Sequence, residues 1–262
     1  MKTIVITGST RGIGYGLADA FLARGCQVVV SGRSRAAVDD AVARLSAAHS
    51  AERVFGHPCD VTECDQVQAL WNAARQHFGG IDIWINNAGV SHPMQDFWEQ
   101  SPDQVRAVVD TNVVGAMFGA RVAIRGFLDQ GHGSLYNMEG LGSDGRKLAG
   151  MMVYGTSKYA LSYLTDALIA ETRGTPVLVA ALQPGMVLTD LITEQYDKRP
   201  EDFEEAKRVL NILTDRVETV TPWLADKVLA NQKTGVRFKW LTRGKLMGRF
   251  LMAPFRPRTI YD

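Results

Sequence analysis

The chain has 262 residues, of which 46% are hydrophobic and 22% charged, with 29 Lys and Arg residues against 28 Asp and Glu residues. This composition excludes disordered, collagen-like and disulfide-scaffold proteins, and the length suits one α/β domain. The formal net charge of +1 argues against a dedicated nucleic-acid-binding protein, which normally carries a basic excess.

Short apolar segments rich in β-branched residues alternate with longer helical patterns along the chain. The predicted strands are residues 2–7, 27–31, 53–57, 81–85, 133–137, 176–182 and a seventh near 236–241. The predicted helices are residues 12–24, 35–48, 63–78, 104–128, 151–172 and 221–231. This alternation predicts βαβ units. We therefore predict a single-domain Rossmann fold over residues 1–262, with a doubly wound, parallel, seven-stranded sheet in the order 3-2-1-4-5-6-7 and helices on both faces.

Cysteine usage and the N-terminus indicate the compartment. Cys26, Cys59 and Cys64 are an odd number without framework spacing, which is typical of reduced thiols in a cytosolic chain. His57 lies near Cys59 and Cys64, but a strand end followed by a loop is the simpler interpretation, and we expect no metal site. The first apolar run is too short for a signal peptide, and no run approaches the roughly 20 apolar residues of a spanning helix. We expect a cytoplasmic protein.

The first predicted strand leads directly into a glycine-rich loop and then into a helix. The loop residues are Gly8, Ser9, Thr10, Arg11, Gly12, Ile13 and Gly14. Glycines permit a tight turn and let the backbone approach a pyrophosphate, whose charge is favourable at a helix N-terminus. A glycine cluster alone is weak evidence in a chain with 25 glycines. Its position between the first strand and the first helix predicts dinucleotide binding.

The end of the second strand bears on the choice of nicotinamide cofactor. A carboxylate there would bind the ribose hydroxyls of NAD and repel the 2′-phosphate of NADP. Gly32 stands about where that carboxylate would be, followed by Arg33 and Ser34. Arg33 and Arg11 can both make charge-assisted hydrogen bonds to a 2′-phosphate, so we predict NADP(H). Two ordinary surface arginines are the alternative.

Tyr154 and Lys158 lie at the start of the helix predicted over residues 151–172, four residues apart and therefore on one face. A tyrosine with a pKa of about 10 is a poor acid–base group near neutral pH. A nearby ammonium and a cationic nicotinamide both favour the phenolate, so we expect the tyrosine pKa to be lowered. Such a pair is usually ordinary helix surface, but its position after the fifth strand of a dinucleotide fold predicts catalysis.

Together these motifs resemble the short-chain dehydrogenase/reductase family over nearly the whole chain. The matching pieces are residues 7–14, Asp60-Val61, residues 86–89, Asn112, Tyr154 with Lys158, and Pro184-Gly185. The resemblance implies that Tyr154 exchanges the proton of the carbonyl oxygen, that Lys158 binds the nicotinamide ribose and lowers the tyrosine pKa, and that Asn112 holds a water that relays protons. It also implies a dimer or tetramer formed through the long helices. The further cofactor contacts that it implies are Asp60, Val61, Asn87, Ala88, Gly89, Pro184, Gly185, Val187 and Thr189.

The chain departs from the family at the serine pair that usually follows the fifth strand. Glu139 and Gly140 occupy those positions, and Ser143 is the nearest hydroxyl, eleven residues before Tyr154. Two interpretations stay open. Ser143 swings inward and hydrogen-bonds the substrate carbonyl, or the role is lost and Ser143 is a turn residue in a glycine-rich loop.

Residues 134–250 also resemble the chlorophyll b reductases of plants, on segments 137–143, 153–158, 184–191 and 236–241. That resemblance implies reduction of a formyl group on a tetrapyrrole, and another bulky apolar aldehyde or ketone fits equally well. The resulting prediction is an NADP(H)-dependent carbonyl reductase or alcohol dehydrogenase. A 3-oxoacyl reductase and a non-catalytic NADP-binding sensor are the alternatives.

Two late segments do not fit the alternation of strands and helices. Residues 186–220 are predicted to be a substrate lid, because ligands of open α/β sheets bind at the carboxyl ends of the strands; a solvated acidic helix is compatible with this. The segment contains the acidic residues Glu194, Asp197, Glu201, Asp202, Glu204 and Glu205. His92, on the loop after the fourth strand, is within reach of the active-site mouth, but we expect an exposed loop histidine.

Residues 227–262 contain nine basic residues and one acidic residue, so the net charge of +1 conceals a basic C-terminal block and an acidic remainder. Within this block, residues 241–262 interleave basic and large apolar side chains. Such a tail can dock on its own domain, pack on a neighbouring subunit, close the substrate cleft or lie on an anionic membrane surface.

Overall fold

The computed structural model describes residues 1–196, 200–255 and 258–261, without the side chains of Pro200 and Asp202. The strands are β1 (Thr3–Ile6), β2 (Gln27–Gly32), β3 (Val54–Pro58), β4 (Ile83–Asn86), β5 (Gly133–Met138), β6 (Val177–Gln183), β7 (Met186–Val187), β8 (Thr214–Asp215) and β9 (Arg237–Lys239). The helices are α1 (Gly12–Leu22), α2 (Arg35–Ala48), α3 (Cys64–Phe78), α4 (Pro102–Val109), α5 (Gly115–Gln130), α6 (Met152–Glu171), α7 (Asp190–Thr193), α8 (Pro200–Leu213), α9 (Val217–Ala230) and α10 (Arg243–Met252).

Seven parallel strands form the main sheet in the order β3-β2-β1-β4-β5-β6-β9. This confirms the predicted doubly wound Rossmann fold. The predicted seventh strand is β9, because β7 and β8 pair with each other in a separate two-stranded sheet. Both strands of this small sheet lie within the segment 186–220. Of the acidic residues predicted there, Asp197 and the side chain of Asp202 lie outside the described residues.

The two faces of the sheet are covered by different helices, as the central strand β1 illustrates. Ile4 and Ile6 pack in a cluster with side chains of α1, α2 and α9, whereas Val5 packs in a second cluster with side chains of α3 and α5. All three are fully buried. Since alternate residues of a strand point to opposite faces, a strand covered on both faces is apolar at every position.

The helix predicted over residues 104–128 runs from Pro102 to Gln130, with a π-helical turn at Asp110–Val114 between α4 and α5. By length and composition this 29-residue helix could cross a membrane, which corrects the expectation that no segment approaches that length. Phe127 is fully buried in one of the two core clusters. We therefore interpret the helix from Pro102 to Gln130 as a core helix of the domain.

The carboxyl ends of the parallel strands lie along one edge of the sheet, where ligands of such folds bind. The glycine loop (residues 8–14) follows β1, Asp60 follows β3, Asn87 follows β4, Glu139 follows β5 and Pro184 follows β6. The topology therefore brings these five separate segments to one site.

Candidate active site

Tyr154 and Lys158 lie one turn apart near the start of α6, and both side chains are buried. The Lys158 Nζ donates a hydrogen bond to the backbone oxygen of Met138, at 3.1 Å, and lies 5.7 Å from the centroid of the Tyr154 ring. The end of β5 thus fixes the lysine beside the tyrosine.

Burial is the main cause of the pKa shifts of both side chains. It raises the pKa of Tyr154 to about 12, because the phenolate loses its hydration. It lowers the pKa of Lys158 to about 8, against the opposing effect of the negative charge of Glu139. The expectation that the neighbouring ammonium lowers the tyrosine pKa is therefore not met in the chain alone, because desolvation outweighs it. The phenol is protonated near neutral pH and can donate a proton.

Asn112 lies in the π-helical turn and is buried. Its Oδ1 accepts a hydrogen bond from the Val90 backbone N–H at 2.8 Å, and its Nδ2 donates to the Val90 carbonyl at 2.9 Å and to the Ser157 Oγ at 3.0 Å. The side chain therefore ties the loop after β4 to α6. Its role toward a water stays a prediction.

His92 is buried, contrary to the expectation of an exposed loop histidine. Its Nε2 accepts a hydrogen bond from the Tyr154 backbone N–H at 3.2 Å, and its Nδ1 lies 2.8 Å from the Pro93 carbonyl oxygen. The same Nδ1 also lies 3.3 Å from the Gln100 Nε2. The first N–H groups of a helix have no partner within the helix, and Met151 at the N-cap makes no side-chain bond. His92 supplies an acceptor for one of them and so fixes the first turn of α6.

Ser143 folds back on the loop that replaces the family's serine pair. Its Oγ accepts a hydrogen bond from the Gly140 backbone N–H at 2.9 Å. A Cβ atom on Gly140 would lie 2.9 Å from the Tyr154 hydroxyl, so the position of the missing serine adjoins the tyrosine oxygen. Within the described part of the chain, no acceptor is bonded to the Ser143 hydroxyl proton. A substrate role for Ser143 stays a prediction.

The glycine loop fits a dinucleotide because its backbone is packed without room for side chains. Gly8 has φ +62°, and a Cβ there would lie 2.8 Å from the Ala88 Cα. A Cβ on Gly14 would meet the Gly8 oxygen and the Asn87 Nδ2. Asn87 in turn donates to the Gly8 carbonyl at 2.9 Å. The α1 N-terminus has no side-chain cap, so its N–H groups can bind a pyrophosphate. A nicotinamide dinucleotide held there would supply or accept the hydride.

The predicted cofactor contacts Arg33, Arg11 and Ser34 differ in their hydrogen-bond and ion-pair partners. Arg33 is exposed at the cavity and has no ion-pair partner within the described ranges. Arg11 instead forms ion pairs with Asp190, at 2.7 Å, and Glu194, at 3.4 Å. Ser34 caps α2 by accepting a hydrogen bond from the Ala37 backbone N–H. Arg33 is therefore the available cation of the set.

One cavity of about 570 Å³ runs from the glycine loop past Tyr154 to α7, α8 and α10. Predicted residues that line it are Gly8, Thr10, Arg11, Gly12, Ile13, Gly14, Arg33, Asp60, Val61, Asn87, Ala88, Gly89, Ser143, Tyr154, Lys158, Pro184, Gly185, Val187 and Thr189. Ser9, Ser34 and Asn112 do not line it. Ser9 is buried and joins β1 to β2 by accepting a hydrogen bond from the Ser31 backbone N–H.

The far wall of the cavity is apolar, and most of its residues come from the part of the chain after α6. Its apolar residues include Met94, Leu141, Leu148, Met151, Met186, Leu191, Ile192, Leu210, Leu213, Leu241, Leu246 and Phe250. Asp215 anchors this wall by accepting hydrogen bonds from the Trp240 Nε1 and the Arg249 Nη2, each at 2.6 Å. Helix α10 of the basic tail therefore docks on its own domain.

The profile of the short chain dehydrogenase family matches residues 2–200, which is most of the chain. The chain belongs to the short-chain dehydrogenase/reductase family. Members of this family are oxidoreductases that act on CH–OH and C=O groups. As a short-chain dehydrogenase/reductase, it carries Glu139 and Gly140 in place of the usual serines.

Two relatives illustrate the different activities named among similar proteins. Chlorophyll(ide) b reductase NOL of Oryza sativa subsp. japonica is 38% identical over 232 residues, which cover 87% of this chain and 66% of that protein. D-beta-hydroxybutyrate dehydrogenase of Cupriavidus necator is 33% identical over 218 residues, covering 80% of this chain and 81% of that protein. The chain therefore spans slightly less than two thirds of the plant relative's length.

Solved structures agree on the fold. The 3-ketoacyl-(acyl-carrier-protein) reductase from Brucella melitensis, complexed with NADH, has a TM-score of 0.79 and 25% identity, covering 91% of this chain and 96% of that one. Serine dehydrogenase complexed with NADP⁺ has the same TM-score, 0.79, at 21% identity, covering 92% and 94%. Since these neighbours hold both cofactor types, the short-chain dehydrogenase/reductase scaffold alone does not select one.

Proposed function

We propose that the protein uses NADPH to reduce the aldehyde or ketone group of a bulky apolar molecule, with the formyl group of a chlorophyll b-like tetrapyrrole as the first candidate. The observation that carries the proposal is the apolar wall beyond Tyr154, built from α8 and α10 among others. An apolar cavity binds mainly by removing apolar surface from water, so it favours large, flat or aliphatic substrates.

Charge at the cavity supports the same choice. Arg146, a cation beside the far wall, is paired with Asp144 at 2.8 Å. A small hydroxy acid needs a free cation for its carboxylate. Such a substrate therefore fits this wall less well than an apolar one. The 38% identity to the plant chlorophyll(ide) b reductase supports the tetrapyrrole candidate.

The catalytic step follows from the buried pair. Hydride adds to the carbonyl carbon, and the carbonyl oxygen takes the proton of the Tyr154 hydroxyl. The charge of Lys158 stabilises the resulting phenolate, since an ammonium favours a nearby anion. Ser143 donates a hydrogen bond to the carbonyl oxygen, and segment 186–220 acts as a lid that excludes water from the site.

A substrate screen with NADPH tests the proposal. We expect kcat/KM for apolar ring aldehydes, including a formyl-bearing tetrapyrrole, to exceed that for 3-oxoacyl thioesters and 3-oxo acids by at least about tenfold, because only the former fill the apolar wall. A preference for thioesters would indicate a 3-oxoacyl reductase instead. NADPH binding without turnover of any carbonyl would indicate a non-catalytic sensor.

Arg33 is proposed to determine the cofactor preference. The Arg33→Gln change is expected to lower the ratio of NADPH to NADH affinity by about 10- to 100-fold, because it removes a charge-assisted contact with the 2′-phosphate. Titration of each cofactor against the protein measures both affinities. Arg35→Gln is the matched control, since Arg35 is exposed nearby and paired with Asp39 at 3.6 Å. Equal weakening of both cofactors by Arg33→Gln would contradict the assignment.

The role of Ser143 is tested by Ser143→Ala. We expect kcat/KM for the carbonyl substrate to fall by at least about tenfold, because a hydrogen-bond donor to the developing oxyanion is lost. NADPH affinity should be unchanged. Thr156→Ala removes a hydroxyl from the exposed side of the same region, where its Oγ1 contacts the Met152 Sδ at 3.5 Å, and serves as the control. Full activity in Ser143→Ala would show that Ser143 has only a structural role in its turn.

We also infer assembly as a homodimer or homotetramer through α5 and α6. Met117, Tyr159 and Tyr163 support this, because large side chains on these helices are left exposed.

A further inference from the structure

Glu139 occupies a serine position of the family, yet its carboxylate is enclosed rather than directed to solvent. We propose that Glu139 is a positioning residue whose negative charge keeps Lys158 protonated during the reaction. This inference rests on the proposed function, because it assigns the carboxylate to the same proton-transfer site. It adds a role that the glycine loop and the Tyr154–Lys158 pair do not contain.

The carboxylate of Glu139 is held in one place by three elements of the fold. Its side chain is fully buried. Its Oε1 accepts a hydrogen bond from the Arg237 Nε on β9, at 3.2 Å, and its Oε2 accepts one from the Gln183 Nε2 on β6. Its backbone N–H donates to the Leu182 carbonyl at 2.9 Å. These donors, one of them the Arg237 guanidinium, hold the carboxylate in place.

The residues on either side of Glu139 both contact the catalytic pair. Met138 accepts the hydrogen bond of the Lys158 Nζ through its backbone oxygen. A Cβ on Gly140 would lie 3.4 Å from the Lys158 Cε and 2.9 Å from the Tyr154 hydroxyl. Glu139 lies between these two residues and lines the same cavity as Lys158.

The charges around Lys158 explain why this arrangement is useful. Tyr154 lies beside Lys158 on the same helix, and Glu139, the residue directly after β5, lines the same cavity as Lys158. Behind Glu139, Arg237 on β9 is shared with Asp166 of α6, at 2.8 Å. Burial lowers the pKa of Lys158, and the charge of Glu139 raises it. Without that carboxylate, a desolvated lysine would lose its proton at lower pH.

The role of Glu139 is expected to affect the pH dependence of kcat. Lys158 has a pKa of about 8, and reduction uses its charged form, so kcat should fall as pH rises through that value. In Glu139→Gln we expect this alkaline limb to move down by about one pH unit. Gln183 can turn its amide to keep a hydrogen bond to the new side chain. Glu139→Asp retains the charge and should keep the limb near that of the parent chain.

Asp166→Asn provides the matched control for the charge cluster. It removes a carboxylate that pairs with Arg237 and lies more than half exposed, and it leaves Glu139 in place. We expect its alkaline limb to coincide with that of the parent. If Glu139→Gln and Asp166→Asn gave the same limb as the parent, Glu139 would have no effect on the lysine charge and the inference would be overturned.

A substrate-free measurement separates this inference from the proposed function. The difference in unfolding stability between each chain and its Lys158→Met variant depends on pH in a window that begins at the folded-state pKa of Lys158. We expect that lower edge to lie about one pH unit lower in the Glu139→Gln background than in the parent. A shifted edge in a protein that reduces no carbonyl would preserve the role of Glu139 and reject the proposed function. An unshifted edge in an active enzyme would reject the role alone.

Discussion

Replacing Tyr154 with phenylalanine is expected to lower kcat by about 10²- to 10⁴-fold, because the carbonyl oxygen then loses its proton donor. The phenol is protonated across the neutral range, since burial raises the pKa of Tyr154 to about 12. The substitution removes one oxygen and keeps the ring in its packing. Cofactor affinity and the free energy of unfolding should therefore change little. Steady-state NADPH oxidation with the best substrate of the screen measures the loss.

Two exposed tyrosines on the same helix provide controls for that experiment. Tyr159 and Tyr163 are 60% and 76% exposed, and neither lines the cavity. Their replacement by phenylalanine should leave kcat at the parent value. A Tyr154→Phe enzyme with more than about a tenth of the parent kcat would show that another group delivers the proton.

Replacing Lys158 with methionine is expected to abolish turnover and to stabilise the fold. The folded-state pKa of about 8 lies below the ordinary lysine value of 10.5, so the folded protein disfavours the ammonium relative to the unfolded chain. Lys158 therefore destabilises the fold at pH values below about 8, and this penalty disappears as pH rises towards 10.5. The shift corresponds to about 3 kcal/mol at neutral pH.

The measurement is chemical denaturation of the parent and of Lys158→Met at several pH values. The variant should be more stable by about 2–3 kcal/mol at pH 7, and the difference should vanish near the unfolded-state pKa. Lys233→Met is the control, because Lys233 is exposed. A Lys158→Met protein less stable than the parent at pH 7 would mean that the ammonium gains more from the Met138 carbonyl than it loses by burial.

Motifs with short internal spacing made much of the fold and site predictable. The apolar strand segments predict the sheet because each must be buried on both faces. Tyr154 and Lys158 are four residues apart on one helix, so their meeting depends on helix geometry alone. The glycine loop is similar, since its function depends on a local turn between β1 and α1.

Features that depend on contacts between distant segments could not be predicted. His92 bonds the backbone of Tyr154 across 62 residues, and only the absence of a capping side chain at Met151 could have suggested a partner from elsewhere. Glu139 meets Arg237 across 98 residues, and the register of β9 against β6 determines that meeting. The π-helical turn at Asn112 likewise depends on bonds to a loop 22 residues away.

The far wall of the cavity is built from other parts of the chain than the Tyr154–Lys158 pair. About half of its apolar residues come from two stretches after Tyr154 and Lys158, namely α7–α8 and α10, whereas Tyr154 and Lys158 lie on α6. Substitutions in these two stretches can therefore change the shape of the cavity without altering Tyr154 or Lys158. Asp215 on β8, directly after α8, accepts hydrogen bonds from Trp240 and Arg249, which lie in or near α10, so replacing one stretch without the other would break these bonds. Grafting between relatives would have to exchange them together.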